Sequence, residues 1–196
     1  CAWHYDDVMP GPARAVEVWN GRWNGDSGNA ENLALWYGWL NAGLRIVATC
    51  GTDCHDFYPE GDTEPFAYVY AAELTEDALL DAIRRGRLYL SSGPRLELHA
   101  QAGDALAGMG DELVLSDEGA AFRCAWTNCL PDAVVRAVVD GAVIHEWRAG
   151  GDGQAEWQVT PGQGWCAVEI RDAEGNMLAL SNPIFCRAVR VDVTTE

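Results

Sequence analysis

Asp53 and His55 are the residues of this chain best suited to chemistry. They sit in the run Arg45-Ile46-Val47-Ala48-Thr49-Cys50-Gly51-Thr52-Asp53-Cys54-His55-Asp56. Ile46, Val47 and Ala48 form a short apolar run, the pattern of a strand covered on both faces. Gly51 then lets the chain turn or approach another group closely. If the extended conformation persists past the strand, Asp53 and His55 point the same way. A carboxylate and an imidazole converging at a strand end can share one metal ion, and that arrangement points to hydrolytic chemistry. The same residue types also make an ordinary turn with an Asx cap. Two ligands are also fewer than the roughly three that a catalytic zinc site takes from protein.

Elements that would position this pair are readable on either side. Ala13 to Trp19 reads as a strand, followed by the loop Asn20 to Gly28, rich in turn formers. Asn29 is placed to cap a helix over Glu31 to Asn41, which Gly43 ends. Leu33, Trp36, Tyr37 and Leu40 fall on one face of it. Phe66 to Tyr70 reads as a strand. Thr75 caps a helix over Glu76 to Arg85, with acids in its first turn and arginines in its last, as the helix dipole favours. Gly86 stops it, and Arg87 to Leu90 is extended. The alternation of strand and helix over residues 1–94 predicts α/β units with a parallel sheet.

Residues 95–196 have a different texture, all-β. Strands are expected at Arg95–Ala100, Glu112–Leu115, Ala121–Thr127, Val134–Asp140, Ala142–Trp147, Ala155–Val159, Trp165–Arg171 and Met177–Leu180. Asp140-Gly141 between two apolar runs is a two-residue hairpin signal. Short strands at this spacing predict an antiparallel, immunoglobulin-like sandwich. Gly93 and Pro94 mark the boundary.

Composition narrows the function classes. The 196 residues are 48% hydrophobic with nine Trp, enough to bury a real core. Thirty acidic residues face 13 basic ones, every one an Arg. A net charge of −17 argues against nucleic acid or an anionic membrane as a partner. No stretch is long and apolar enough to span a membrane. The chain opens at Cys1 with neither an initiator Met nor a signal peptide and reads as a piece of a longer protein, which leaves its compartment open. The seven Cys lack CxxC spacing, which speaks against a zinc knuckle. Cys124 and Cys166 could face each other across a sandwich, and reduced buried thiols are the expected state. No Gly-x-Ser-x-Gly elbow, phosphate loop or dinucleotide fingerprint is present.

Taken together, three segments resemble the PHP (polymerase and histidinol phosphatase) superfamily, and within it the carbaryl-hydrolase-type metallohydrolases of the CehA/McbA group. They are Val16-Glu17-Val18-Trp19-Asn20-Gly21 before a Gly43-terminated helix, Gly51-Thr52-Asp53-Cys54-His55, and Leu79 to Pro94 with its Arg-Gly-Arg-x-Tyr-x-Ser-Ser-Gly-Pro ending. The resemblance implies the C-terminal part of a PHP-type β/α barrel (1–94) followed by a β-sandwich (95–196). It implies Asp53 and His55 as metal ligands, with zinc, manganese or iron as the divalent ions of a complete domain. The activity implied is hydrolysis of a small-molecule phosphoester, ester, amide or carbamate. Glu17 and Asn20 would lie on the same rim and contact substrate or the ligands, or simply hydrogen bond at a strand end. His4 is a third candidate ligand, near the position of a family His.

The departures are as specific. The family's His-x-His motif and its following Glu and His motifs are absent, so this chain alone is expected to be inactive. The alternative is a non-catalytic β-sandwich module for packing, assembly or partner binding, with an open barrel edge available for homo-oligomerisation. Cys54 should alternate away from the ligand pair. Asp56, Glu60, Asp62 and Glu64 read as a solvated acidic loop. His99 and His145 read as surface strand residues, and the Trp residues as packing rather than a sugar platform.

Overall fold

The fold was analysed in a computed structural model, which describes residues 10–24, 28–55, 64–115 and 117–188. In chain order the elements are β1 (Ala15–Asn20), α1 (Asn29–Asn41), β2 (Val47–Gly51), β3 (Phe66–Val69), α2 (Glu76–Arg84) and β4 (Leu88–Ser91). There follow β5 (Arg95–Ala102), β6 (Ala105–Gly108), β7 (Glu112–Leu115), β8 (Ala120–Thr127), β9 (Val134–Val139) and β10 (Ala142–Arg148). The last are β11 (Gly153–Val159), β12 (Trp165–Arg171), β13 (Met177–Ser181) and β14 (Ile184–Ala188).

Three layers result. One four-stranded sheet runs β11-β8-β5-β6. It faces an eight-stranded sheet of order β10-β9-β12-β13-β4-β3, which β14 and β7 extend beside β12. The two enclose one core, with Leu96, Leu98, Phe122 and Trp157 from the smaller sheet against Val135, Val139, Val168 and Ile170 from the larger. The third layer is the unit β1–α1–β2, whose strands pair in parallel. It covers the outer face of the large sheet, packing Val18, Trp19, Trp36 and Trp39 against Val138, Trp165, Met177 and Leu180. β12 is therefore buried on both faces, all but its last residue. Its unbroken apolar run reflects that central position.

Local rules account for most element ends. The Asp140-Gly141 turn has φ of 50° and 83°, the two left-handed residues that a tight hairpin between β9 and β10 demands. Thr75 Oγ1 accepts from the Ala78 N–H at 3.4 Å and starts α2, with Gly86 (φ 73°) past its end.

Two expectations are corrected. The first half does not form one parallel sheet. Only β1 and β2 are parallel; β3 and β4 pair antiparallel with each other, and β4 pairs antiparallel with β13. Although they precede residue 94, β3 and β4 thus belong to the large sheet. Leu88 and Leu90 point to the outer core and Tyr89 to the inner one, so β4 has an apolar demand on both faces that only a sheet interior meets. Asn29 is not the helix cap either. Gly28 occupies that position at φ 72°, and Asn29 is the first residue of α1. β6 and β14 are strands that the alternation pattern did not mark. Cys124 and Cys166 do come from opposite sheets into the shared core, and both are free thiols.

Candidate functional site

The candidate rim is the C-terminal end of the parallel pair β1–β2, where Asn20 lies opposite Gly51. Asn29, fully buried, fixes this end from the start of α1. Its Oδ1 accepts from the Asn20 N–H at 2.9 Å, and its Nδ2 donates to the carbonyls of Asn20 at 3.1 Å and Arg22 at 3.3 Å. Buried backbone groups at a strand end need such partners. The Gly21 N–H donates to the Gly51 carbonyl at 2.8 Å and ties the loop after β1 to β2. Asn29 is the positioning residue that the sequence reading assigned to a different job. Its signal was an Asn flanked by turn formers, which fits both jobs.

Glu17 and Asn20 are brought together: Asn20 Nδ2 donates to Glu17 Oε2 at 3.0 Å. The other carboxylate oxygen lies over Gly51, where an added Cβ would meet it at 2.1 Å. Gly51 therefore makes room for Glu17. Cys50 next to it is pushed up to about 12, by burial first and by the Glu17 charge second. Its thiol is inert as a nucleophile at neutral pH.

Asp53 and His55 also meet, but not through strand alternation. The strand ends at Gly51, and Asp53 adopts a left-handed φ of 53°. That kink brings His55 Nε2 to 3.2 Å from Asp53 Oδ1. Asp tolerates this conformation better than most residues. Thr52 Oγ1 accepts from the Cys54 N–H at 3.3 Å and steadies the turn. The pair is open to solvent, with 86% of the His55 side chain and 58% of the Asp53 side chain exposed. Carboxylate oxygen and imidazole nitrogen are suitable donors for zinc, manganese or iron. Among the described residues no group of three His, Cys, Asp or Glu side chains is close enough to hold an ion. The pair fits part of a metal shell, not the whole of one.

Of the other candidates, His4, Asp56, Glu60 and Asp62 lie outside the described residues. Glu64 is described, and its Oε2 is buried without a hydrogen-bond partner among the described residues, unlike a solvated loop carboxylate. His99 and His145 are exposed on β5 and β10, as their pattern implied. Cys54 is exposed. Six of the Trp residues (19, 36, 39, 126, 157 and 165) are core.

The sandwich grips the rim's layer through polar contacts. Asn182, which joins β13 to β14, donates from Nδ2 to the Ala48 carbonyl at 3.0 Å and to the Leu88 carbonyl at 3.2 Å. Tyr37 donates to Glu169 Oε1 at 2.6 Å, and Trp165 Nε1 donates to Asn41 Oδ1 at 2.8 Å. A cavity of about 350 Å³ opens at the other end of β2, beside Arg45, Arg84 and Asn182. Of its lining arginines, Arg45 pairs with Glu112 and Arg85 with Asp81, so carboxylates of the chain already neutralise much of its positive charge.

No family model matches the chain, and no curated protein matches it. Among solved structures, the CARDB domain of PF1109 from Pyrococcus furiosus, determined by NMR in solution, is similar over 48% of this chain and 96% of its own. The identity is 12% and the TM-score 0.30, a likeness too slight to bear on fold or function.

Proposed function

We propose that this chain acts as a non-catalytic β-sandwich module that packs against, and holds in place, a strand-end rim belonging to a metal-dependent hydrolase of the PHP type. The observation that carries this reading is the grip of the sandwich on β1–α1–β2. Asn182, Glu169 and Trp165 all reach from the large sheet into that layer, and two of the three are hydrogen bonded to α1. Polar bonds that hold this layer on the sandwich hold with it the strand end that the layer carries. Among the described residues β1 has a strand partner on one edge only. Its open edge is the place where further strands, from another segment or a second copy, would add.

A second reading concerns the chemistry of that rim, and the 3.2 Å approach of Asp53 to His55 favours it. In this reading the two side chains supply part of the shell of a divalent ion, zinc, manganese or iron. When bound, such an ion supplies hydroxide at neutral pH and polarises a phosphoryl or carbonyl oxygen. Glu17 and Asn20 orient the rim beside them. The substrate is then a small-molecule phosphoester, ester, amide or carbamate, hydrolysed only when further ligands complete the site.

Elemental mass spectrometry of the chain, beside Asp53→Ala/His55→Ala, tests both. The module reading expects no stoichiometric metal and no hydrolysis by the chain alone. Metal near one per chain that vanishes in the double variant supports the rim reading. Hydrolysis by the isolated chain that persists in the double variant overturns both.

A further inference from the structure

The large sheet overhangs the small one. Its order ends in β4 and β3, while the small sheet ends in β6, which pairs with β5 only from His99 to Ala102. Among the described residues, the stretch Arg95–Leu98 of β5 thus has no strand on that edge. The inner face of β3 and β4 projects past it and carries tyrosines: Tyr68 and Tyr89 are cross-strand partners, and Tyr70 follows two residues after Tyr68.

These rings are held in fixed positions. Tyr68 and Tyr89 stack with centroids 4.9 Å apart and planes 9° apart, and Tyr70 leans on Tyr89 at 6.0 Å. Tyr70 donates its hydroxyl to the Leu96 carbonyl at 2.7 Å. The Tyr70 hydroxyl therefore satisfies a backbone carbonyl on the edge that β6 leaves uncovered. Tyr89 is buried, whereas Tyr68 and Tyr70 keep 38% and 45% of their surface in water. A groove of about 300 Å³ runs between these tyrosines and the wall formed by Arg95, Leu96 and Glu97. The side chains of Arg95 and Glu97 are exposed and make no hydrogen bond or ion pair with other described residues.

We propose that this groove binds a neutral pyranoside, its ring lying on Tyr68 and Tyr70 and its hydroxyls between Arg95 and Glu97. The stacked rings touch one another, so nothing can enter between them. They form a platform, not a box of the kind that encloses a quaternary ammonium. A pyranose offers the complement, an apolar C–H face for a ring and a rim of hydroxyls that both donate and accept. Arg95 can only donate and an ionised Glu97 can only accept, so adjacent hydroxyls satisfy both at once. The pair adds no net charge, and the field of a chain at −17 disfavours an anionic sugar. This inference is independent of the rim and of any metal.

The test is a titration of the ¹⁵N-labelled chain with cellobiose, followed by amide shifts, beside a parallel titration with a decaproline peptide, the other ligand that tyrosine grooves accept. Cellobiose should shift the amides of Tyr68, Tyr70, Arg95 and Glu97. Tyr68→Ala should weaken binding by about tenfold, whereas Tyr68→Phe, which keeps the ring, should stay within about twofold. Arg95→Gln/Glu97→Gln should weaken it by a similar factor, with its melting curve confirming an intact fold. No shift with cellobiose, shifts confined to other surfaces, or binding of decaproline instead overturns the proposal.

Discussion

Asn182 grips Ala48 by both of its backbone groups: Oδ1 accepts from the Ala48 N–H at 2.8 Å, and Nδ2 donates to the Ala48 carbonyl at 3.0 Å. A side-chain amide thereby stands in for a neighbouring strand on the inner edge of β2. It can do so because Pro183 follows, cannot donate to a ladder, and breaks the strand between β13 and β14. All three groups are buried in the seam between the outer layer and the sandwich. Asn182→Leu is close in size but leaves the Ala48 N–H and carbonyl without their partner, while the Leu88 carbonyl keeps the backbone N–H of residue 182 at 3.3 Å. The expected loss is about 3 kcal/mol, measured by urea unfolding. A loss below about 0.5 kcal/mol would mean that water replaces the amide and that the seam is not sealed.

Gly51 and Glu17 form the second close relationship. A methyl group at Gly51 would land 2.1 Å from Glu17 Oε1. The clash is with the far end of a flexible side chain, so the carboxylate would swing away and release Asn20. Gly51→Ala should therefore cost little stability, about 1 kcal/mol or less. It should still displace Glu17, which would appear as changed amide shifts for Asn20 and Gly21. Glu17→Ala added to Gly51→Ala removes the clash and should restore any lost stability. Non-additivity of the pair, read from urea unfolding of the four proteins in the cycle, is the measurement.

The extent to which the sequence reveals this molecule differs by region. Strands of the sandwich show clearly because alternation is enforced wherever one face meets the core and the other meets water, as in β5 and β8. The Asp140-Gly141 turn shows because its backbone geometry restricts the residue types. β6 was hidden, being four residues with Leu106 exposed. The placement of β3 and β4 was hidden for another reason. A β–α–β order has the same sequence texture whether its strands are parallel neighbours or members of an antiparallel sheet, and only contacts with β13, almost ninety residues away, decide it. At the rim, the residue types identified Asp53 and His55, but the left-handed kink that joins them was not readable.

The buried thiols predict how stability falls in alkali. Cys50 and Cys186 are each pushed up to about 12 and Cys129 to about 11, in every case by burial first. In the unfolded chain the reference value is 9.0. Between these values the folded state holds protons that the unfolded state has lost, so the unfolded state is favoured as pH rises. The stabilisation is complete below pH 9 and is lost as pH climbs through 11 to 12. The melting temperature should be flat from pH 7 to 8.5 and decline steadily above 9. Cys50→Ser/Cys186→Ser should flatten part of that decline. A decline that the variant leaves unchanged would assign it to the remaining thiols, Cys124, Cys129 and Cys166, and to the tyrosines.

Tyr37, Glu169 and Arg171 tie α1 to the middle of the large sheet. Glu169 is 4% exposed and uses both oxygens: Oε1 accepts from Tyr37 at 2.6 Å, and Oε2 accepts from Arg171 Nε at 2.6 Å. Arg171 also lies over the Trp23 ring at 5.5 Å and donates to the Gly175 carbonyl, so the guanidinium is fixed from three sides. Burial first, and Glu169 second, hold the Tyr37 hydroxyl well above its usual value, so it remains a donor across the neutral range. Removing each partner has a different consequence. Tyr37→Phe deletes one hydrogen bond to a carboxylate that keeps its counter-ion, and should cost about 1–3 kcal/mol. Arg171→Ala leaves a buried carboxylate with no positive partner and should cost about 3–5 kcal/mol at pH 7. Urea unfolding of both variants at pH 7 checks the order. An Arg171→Ala loss no larger than the Tyr37→Phe loss would show that water reaches Glu169 and that the tie is a surface ion pair.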